Sequence, residues 1–287
     1  MAKKIQADLH VHTSASDGTF APREVVERAA GIGLNVIAIT DHDTMNGIAE
    51  AQQCAAGHGV NVIAGVEIST FHGEQEFHVI GLYTDLVSAT FLEKLEEMRR
   101  ARHDRIFEMV GKLREMGIDL DGQEIIDSAD GGSAGRTHVA QALMDHGHVD
   151  TLSEAFYKYV GDRGPAFVPK KFMSVEDAII AIRKVGGVSI LAHPGVTDRD
   201  GYIPIFAQMG LNGLEAFYPT YSREQTTHYL DMANRMGMVV GGGSDCHGKR
   251  RTDIMLGRVR VPGIYVERIT ALARLQPGSV ENKEESR

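Results

Sequence analysis

Two of the thirteen histidines in this 287-residue chain open it in a pattern that can do chemistry: Ile5-Gln6-Ala7-Asp8-Leu9-His10-Val11-His12. The alternating run reads as a β-strand, and residues two apart in a strand project to the same face, so His10 and His12 share one small volume. An isolated His-x-His pair is weak evidence, because solvated strand faces carry such pairs without function. Its weight comes from partners that stand at or near later apolar runs. These are Asp17 in a turn-rich loop, His42 within Asp41-His42-Asp43, Glu67, His78, His193 before Pro194, and Asp245 and His247 around Cys246.

These residues need a scaffold that gathers them. A helical pattern begins at Pro22 and is closed by Gly31 and Gly33. Residues 36–40 are apolar on both faces, as a parallel strand covered by helices should be. The rhythm continues with a helix over 48–56, strands over 60–66 and 76–83, a helix over 175–185, and strands over 188–192, 214–217 and 238–243. Between them, residues 91–116 show helical spacing with dense charge, and further helical patterns follow at 139–144 and 152–159. The segment 164–170 reads as a rigid, proline-bounded connector. The sequence therefore predicts an α/β fold. Residues 1–90 and 170–275 form a barrel, 91–169 an inserted helical cap subdomain, and 276–287 a flexible tail.

In closed barrels the carboxyl ends of the strands form one rim. That rim would collect His10, His12, Asp17, His42, Glu67, His78, His193, Asp245 and His247. Nine such groups converging without a counter-ion would be costly, since desolvated carboxylates repel one another. Divalent metals remove the cost, and mixed nitrogen and oxygen donors suit zinc, manganese or iron better than calcium or magnesium. The number of donors suits two or three ions, with Glu67 as a bridge. Cations several ångströms apart make hydroxide from water at neutral pH, hold a phosphate and stabilise a departing oxygen, which points to phosphoester hydrolysis. Cys246 between Asp245 and His247 reads as a small buried residue.

Composition narrows the setting. With 43% apolar residues the chain can bury a full core. The net charge of −9 argues against duplex DNA and other broad nucleic-acid binding, while leaving room for a local phosphate site. Two cysteines are too few for a disulfide framework, and no run of about 18 apolar residues reads as a membrane span. A cytoplasmic protein without membrane partners is expected; the sequence leaves its oligomeric state open.

The ordered segments His10-x-His12, Asp17, Thr40-Asp41-His42-Asp43, Gly65-Val66-Glu67, His78, Ala192-His193-Pro194 and Ser244-Asp245-x-His247 resemble the polymerase and histidinol phosphatase (PHP) family of metal-dependent phosphoesterases. The resemblance spans almost the whole chain and implies a distorted (β/α)7 barrel. It further implies one metal on His10, His12, Glu67 and Asp245, a second on Glu67, His78 and His193, and a third on Asp17, His42 and His247. Manganese is expected first, with zinc or iron as alternatives. An unfilled third site would leave Asp17, His42 and His247 to touch substrate as catalytic groups, His42 serving as a proton donor to the leaving group.

Substrate choice is expected from the insertion. Arg99, Arg102 and Arg105 are spaced to share a helix face, with His103 beside them, and could meet phosphate. Ser133, Gly135, Arg136 and His138 lie where a helix begins, a place suited to an anion. Lys170 follows the rigid connector. Gly135-Arg136-Thr137-His138 and the 164–169 segment resemble the small stand-alone, TrpH-like branch of the family, whose members hydrolyse nucleoside 3′,5′-bisphosphates such as phosphoadenosine phosphate or trim short RNA from the 5′ end. The expected reaction is release of the 3′-phosphate to leave a nucleoside 5′-monophosphate. The alternatives are a 5′–3′ exoribonuclease on short RNA, a histidinol-phosphate phosphatase, and a metal-binding module without activity.

Overall fold

Alternation and apolar runs set the first elements of the computed structural model, which describes residues 4–85, 88–129, 134–169, 173–250 and 255–277. In chain order these are β1 (Gln6–Val11), α1 (Pro22–Gly31), β2 (Val36–Ile39), α2 (Ile48–Ala55), β3 (Asn61–His72) and β4 (Gln75–Leu82). The insertion follows as α3 (Ala89–Glu115), α4 (Gly122–Asp127), α5 (Arg136–Asp145), α6 (Leu152–Ala155) and a single π-helical turn, Phe156–Val160. The chain then resumes with β5 (Met173–Ser174), α7 (Val175–Lys184), β6 (Val188–Leu191), α8 (Pro194–Thr197), α9 (Ile203–Gln208) and β7 (Gly213–Phe217). It ends with α10 (Arg223–Arg235), β8 (Val239–Gly242), β9 (Val261–Pro262) and α11 (Gly263–Leu275).

The strands lie in the order β8-β7-β6-β4-β3-β2-β1-β9, with β5 paired to β3. Seven of them make the barrel. The segment after β8 returns to β1 through Asp245 N–H to the His10 carbonyl at 2.9 Å and His12 N–H to the Cys246 carbonyl at 3.0 Å, so the sheet is nearly closed. Its distortion is β4, which runs antiparallel to both β3 and β6 while the other barrel pairs are parallel. The strand expected over 60–66 continues to His72, because Ile68 and Thr70 keep the alternation and Gly73, at φ 60°, turns the chain back into β4. Gly243 permits the closure: a Cβ there would stand 2.4 Å from His10 N.

Helices cap as their sequences dictate. Pro22 starts α1 with its missing N–H, and Ser174 and Ser222 accept from the backbone N–H groups of Asp177 and Gln225 at the heads of α7 and α10. Between barrel and outer helices, Phe77 meets Phe206 edge-to-face with centroids 4.9 Å apart, a pair worth about 1 kcal/mol beyond its area.

The apolar partners of α3 change along its length. Phe91, Leu95 and Met98 belong to the barrel core. From Ile106 onward, Met109, Val110 and Leu113 join Ile125, Val139, Leu143, Val160 and Val168 in a second core. No helix among the described residues is long and apolar enough to cross a membrane.

Candidate metal centre

The pleat of β1 delivers Asp8, His10 and His12 to one face, all buried. Asp8 accepts from the N–H groups of Ser244 (2.8 Å) and Gly257 (2.9 Å), which fixes the segment carrying Asp245. At the end of β2, Asp41 accepts from Thr13 N–H and hydroxyl, both at 2.7 Å, and from the Ser16 hydroxyl at 2.5 Å, so it shapes the loop that presents Asp17. Backbone bonds from Asp43 N–H to the Glu67 carbonyl and from Glu67 N–H to the Asp41 carbonyl bring His42 beside β3.

Glu67 lies at the centre, 1% exposed. Its Oε1 is 3.0 Å from His78 Nδ1 and 3.1 Å from His193 Nε2. Its Oε2 is 3.3, 3.2 and 3.2 Å from His10 Nε2, His12 Nε2 and His42 Nδ1. Asp245 Oδ1 adds contacts of 3.5 Å to His10, 3.3 Å to His12 and 3.5 Å to His247, while Tyr218 donates its hydroxyl to Oδ2 at 2.7 Å. Asp17 reaches His247 Nε2 at 3.2 Å and His12 Nδ1 at 3.6 Å. All nine rim residues thus converge. Donor atoms of His12, Asp17, His42 and His247 lie within 4.8 Å of one another, as do those of His10, His12 and Glu67, and those of His42, Glu67 and His78.

Backbone strain gathers here too. Asp43, His193 and Asp245 take left-handed φ values of 52°, 32° and 49°, which cost about 1–3 kcal/mol each in non-glycine residues and persist where surrounding structure enforces them.

Burial opposes charge on Glu67, Asp17 and Asp245, yet the histidines around them hold all three well below the usual carboxylate range. Burial likewise opposes charge on His12 and His78, but Asp245 and Glu67 lift His12 to about 10, and Glu67 lifts His78 to about 9. His42 differs: burial and the neighbouring histidines push it well below its ordinary value, so in the free chain it is a neutral donor of a lone pair rather than of a proton. Nδ1 of His12, His42 and His193 is buried without a hydrogen bond, and the Nε2 atoms of His10 and His12 face each other at 3.2 Å. Unbonded imidazole nitrogens crowded against carboxylates fit divalent cations, which would displace the imidazole protons and accept mixed nitrogen and oxygen donors.

The expected substrate residues fare unevenly. Arg102 is buried on Asp43 through Nε (2.8 Å) and Nη2, and Nη2 also reaches the Ser69 hydroxyl at 2.6 Å. Arg99 pairs with Glu96 at 2.8 Å on its own helix. His103 keeps a buried, unbonded Nε2. Arg136 pairs with Asp162 at 2.6 Å and lies over Phe156 and Phe167. His138 Nδ1 accepts from Gly135 N–H at 3.1 Å and so caps α5. Ser133 and Lys170 lie outside the described residues.

A cavity of about 800 Å³ is lined by Arg105, Arg136 and Arg199 together with Glu74, Glu76 and Asp162. Glu76 joins cavity to cluster, 3.3 Å from His78 Nε2. Arg105 bonds the Val168 carbonyl through Nε, but its Nη2 is buried without a partner. Two site residues have no place in the strand-end pattern. Glu215 contacts His10 and the backbone of His193, and Arg199 lines the cavity. The lone charge in Leu214-Glu215-Ala216-Phe217 is the sequence signal for the first; Arg199 carries none.

The comparisons agree with this geometry. The family model described as PHP domain matches residues 8–187. A 3′,5′-nucleoside bisphosphate phosphatase of Chromobacterium violaceum is 33% identical over 84% of this chain and 86% of its own length. A 5′-3′ exoribonuclease of Haemophilus influenzae is 35% identical over 86% and 91%. A solved structure from Bifidobacterium adolescentis, provisionally described as a metal-dependent phosphoesterase, superimposes with a TM-score of 0.83 at 30% identity, covering 93% of this chain and 96% of that one. Fold, site and kinship agree: the chain belongs to the PHP domain family of metal-dependent phosphoesterases.

Proposed function

We propose that the chain removes the 3′-phosphate from nucleoside 3′,5′-bisphosphates such as phosphoadenosine phosphate, leaving the 5′-monophosphate. The observation that carries this reading is the buried, unbonded Nη2 of Arg105 in a cavity that Glu76 links to the cluster. Burial, with Arg136 and Arg102 nearby, lowers Arg105 to about 10 against the pull of Glu76 and Asp162, and its unbonded Nη2 is a donor that an anion would satisfy. A ligand with two phosphates meets both demands, one at the cluster and one on Arg105 and Arg136. The Chromobacterium relative's name supports the same substrate class.

In this reading His10, His12, Glu67 and Asp245 would hold one cation, Glu67, His78 and His193 a second, and Asp17, His42 and His247 a third. Manganese is the ion we assign first. When bound, such ions activate water and neutralise charge on the phosphoryl oxygens. Glu67 would serve two of these sets, because its Oε1 faces His78 and His193 and its Oε2 faces His10 and His12. His42, held neutral by burial, acts as a ligand. His247, oriented by Asp17 at 3.2 Å, delivers the proton to the departing 3′-oxygen if the third set stays unfilled. The two free, buried cysteines suit the reducing cytoplasm.

Turnover of adenosine 3′,5′-bisphosphate against adenosine 5′-monophosphate, each with manganese, tests the reading. The bisphosphate should be favoured by orders of magnitude; equal rates would remove the two-phosphate argument. The second reading, trimming of short RNA from the 5′ end, is favoured by the Haemophilus relative and predicts that a pentaribonucleotide is degraded as fast as the bisphosphate.

A further inference from the structure

We propose that Glu215 is a positioning residue that orients two ligands of the metal centre at once, and that only a carboxylate can fill the position. Glu215 lies on β7 and is completely buried. Its Oε1 stands 3.1 Å from His10 Nδ1, and its Oε2 accepts the His193 backbone N–H at 2.6 Å. Glu215 itself is in none of the donor groups that could hold a cation. A hydrogen bond at Nδ1 leaves the lone pair of His10 on Nε2, the atom that faces Glu67, Asp245 and His12. Metal-binding histidines are commonly fixed by such an acceptor on the far nitrogen. The second contact holds the backbone of His193 in its left-handed conformation, φ 32° and ψ 52°, from which the ring reaches Glu67 Oε1 at 3.1 Å. One side chain on β7 therefore aligns a ligand from β1 with a ligand following β6.

The chemistry of the acceptor is restrictive. Both oxygens face N–H groups, so both must accept. Glutamine, of the same size, offers one accepting oxygen and turns an NH2 toward the other donor, so Glu215→Gln sets donor against donor at either His10 or His193. This inference rests on the metal-binding reading above.

The experiment measures Mn2+ affinity by chelator competition in wild type, Glu215→Gln and Glu215→Ala, with melting of the metal-free proteins alongside. We expect both variants to bind Mn2+ about 10- to 100-fold more weakly, with the glutamine variant melting like wild type when metal-free. Wild-type affinity in Glu215→Gln overturns the proposal, and so does a metal-free melting loss in that variant large enough to account for the lost affinity. A second arm uses the wild type alone. Long-range 15N–1H spectra of the Zn2+-loaded protein should show the His10 proton on Nδ1, and a proton on Nε2 overturns the proposal. If the wild type takes up no metal, the functional reading fails by itself. Glu215 is then judged on the metal-free protein raised to the pH at which His10 becomes neutral, where the same Nδ1 proton is required.

Discussion

The rim of the barrel and the inserted helices use charge in opposite ways. At the rim, three carboxylates and six imidazoles from distant parts of the chain each stand within about 3–4 Å of a neighbour and share their partners, Glu67 alone facing five imidazoles. In the insertion most cations are answered locally: Arg99 by Glu96, Arg114 by Asp119, Arg136 by Asp162. Among the described residues the buried ring nitrogens left unbonded lie mostly at the rim, and in the insertion Arg105 is the guanidinium with a buried nitrogen left unbonded. The difference teaches where to look for ligands. A site for a cation is an excess of unanswered acceptors, and a site for an anion is a single unanswered donor.

Perturbations can break or sharpen this contrast. The largest effect belongs to Glu67, shared by every imidazole pair around it: Glu67→Ala should abolish Mn2+ retention and lower kcat by roughly 10³-fold or more, read by elemental analysis and phosphate release. Next is Arg102→Met, which leaves Asp43 buried and unpaired next to His42. Removing one partner of a buried pair costs about 3 kcal/mol, to be measured by denaturant unfolding, and a loss below about 1 kcal/mol would place the pair with the weak surface bridges of the insertion. Arg105→Met removes the unanswered donor. It should raise KM for the bisphosphate about 10-fold, the worth of one charge-assisted hydrogen bond, while leaving KM for a ligand with a single phosphate unchanged; an equal rise for both would show that the cavity does not sense the second phosphate.

The smallest effect is on pH dependence. His12 and His78 titrate in the fold near 10 and 9, above their unfolded value of 6.5. A raised histidine contributes its full stability below the unfolded value and loses it as pH climbs through the folded one. Metal-free protein should therefore melt at progressively lower temperature from pH 7 to pH 10, whereas Mn2+-loaded protein, whose imidazoles are already deprotonated, should not follow that trend. Parallel curves would mean the rim does not exchange protons for metal.

Much of the rim was legible in sequence because its logic is one-dimensional. A strand has a period of two, which put His10 and His12 together, and a barrel gathers strand ends, which drew in Glu67, His193 and Asp245. His78 reached the same rim by a different route, near the start of the reversed strand β4. The cap was less legible because helical spacing fixes which residues share a face but not what that face meets. Arg99, Arg102 and Arg105 are equivalent in spacing, yet one sits on its own helix, one is buried on Asp43, and one opens into a cavity. Glu215 is marked in sequence only as a lone charge in an apolar strand, because its partners lie 205 and 22 residues away.

The reversed strand has a consequence for the molecule as a whole. Because β4 runs downward, it leaves the chain at the barrel floor, where Leu82 pairs with Val188 at the start of β6. The helix that follows must climb back past the rim. At 27 residues, α3 is about 40 Å long. Its lower turns are part of one apolar core and its upper turns part of another, with Arg102 riveted to the rim between them. A helix shared in this way couples the two cores, because unravelling it for one strips apolar partners from the other.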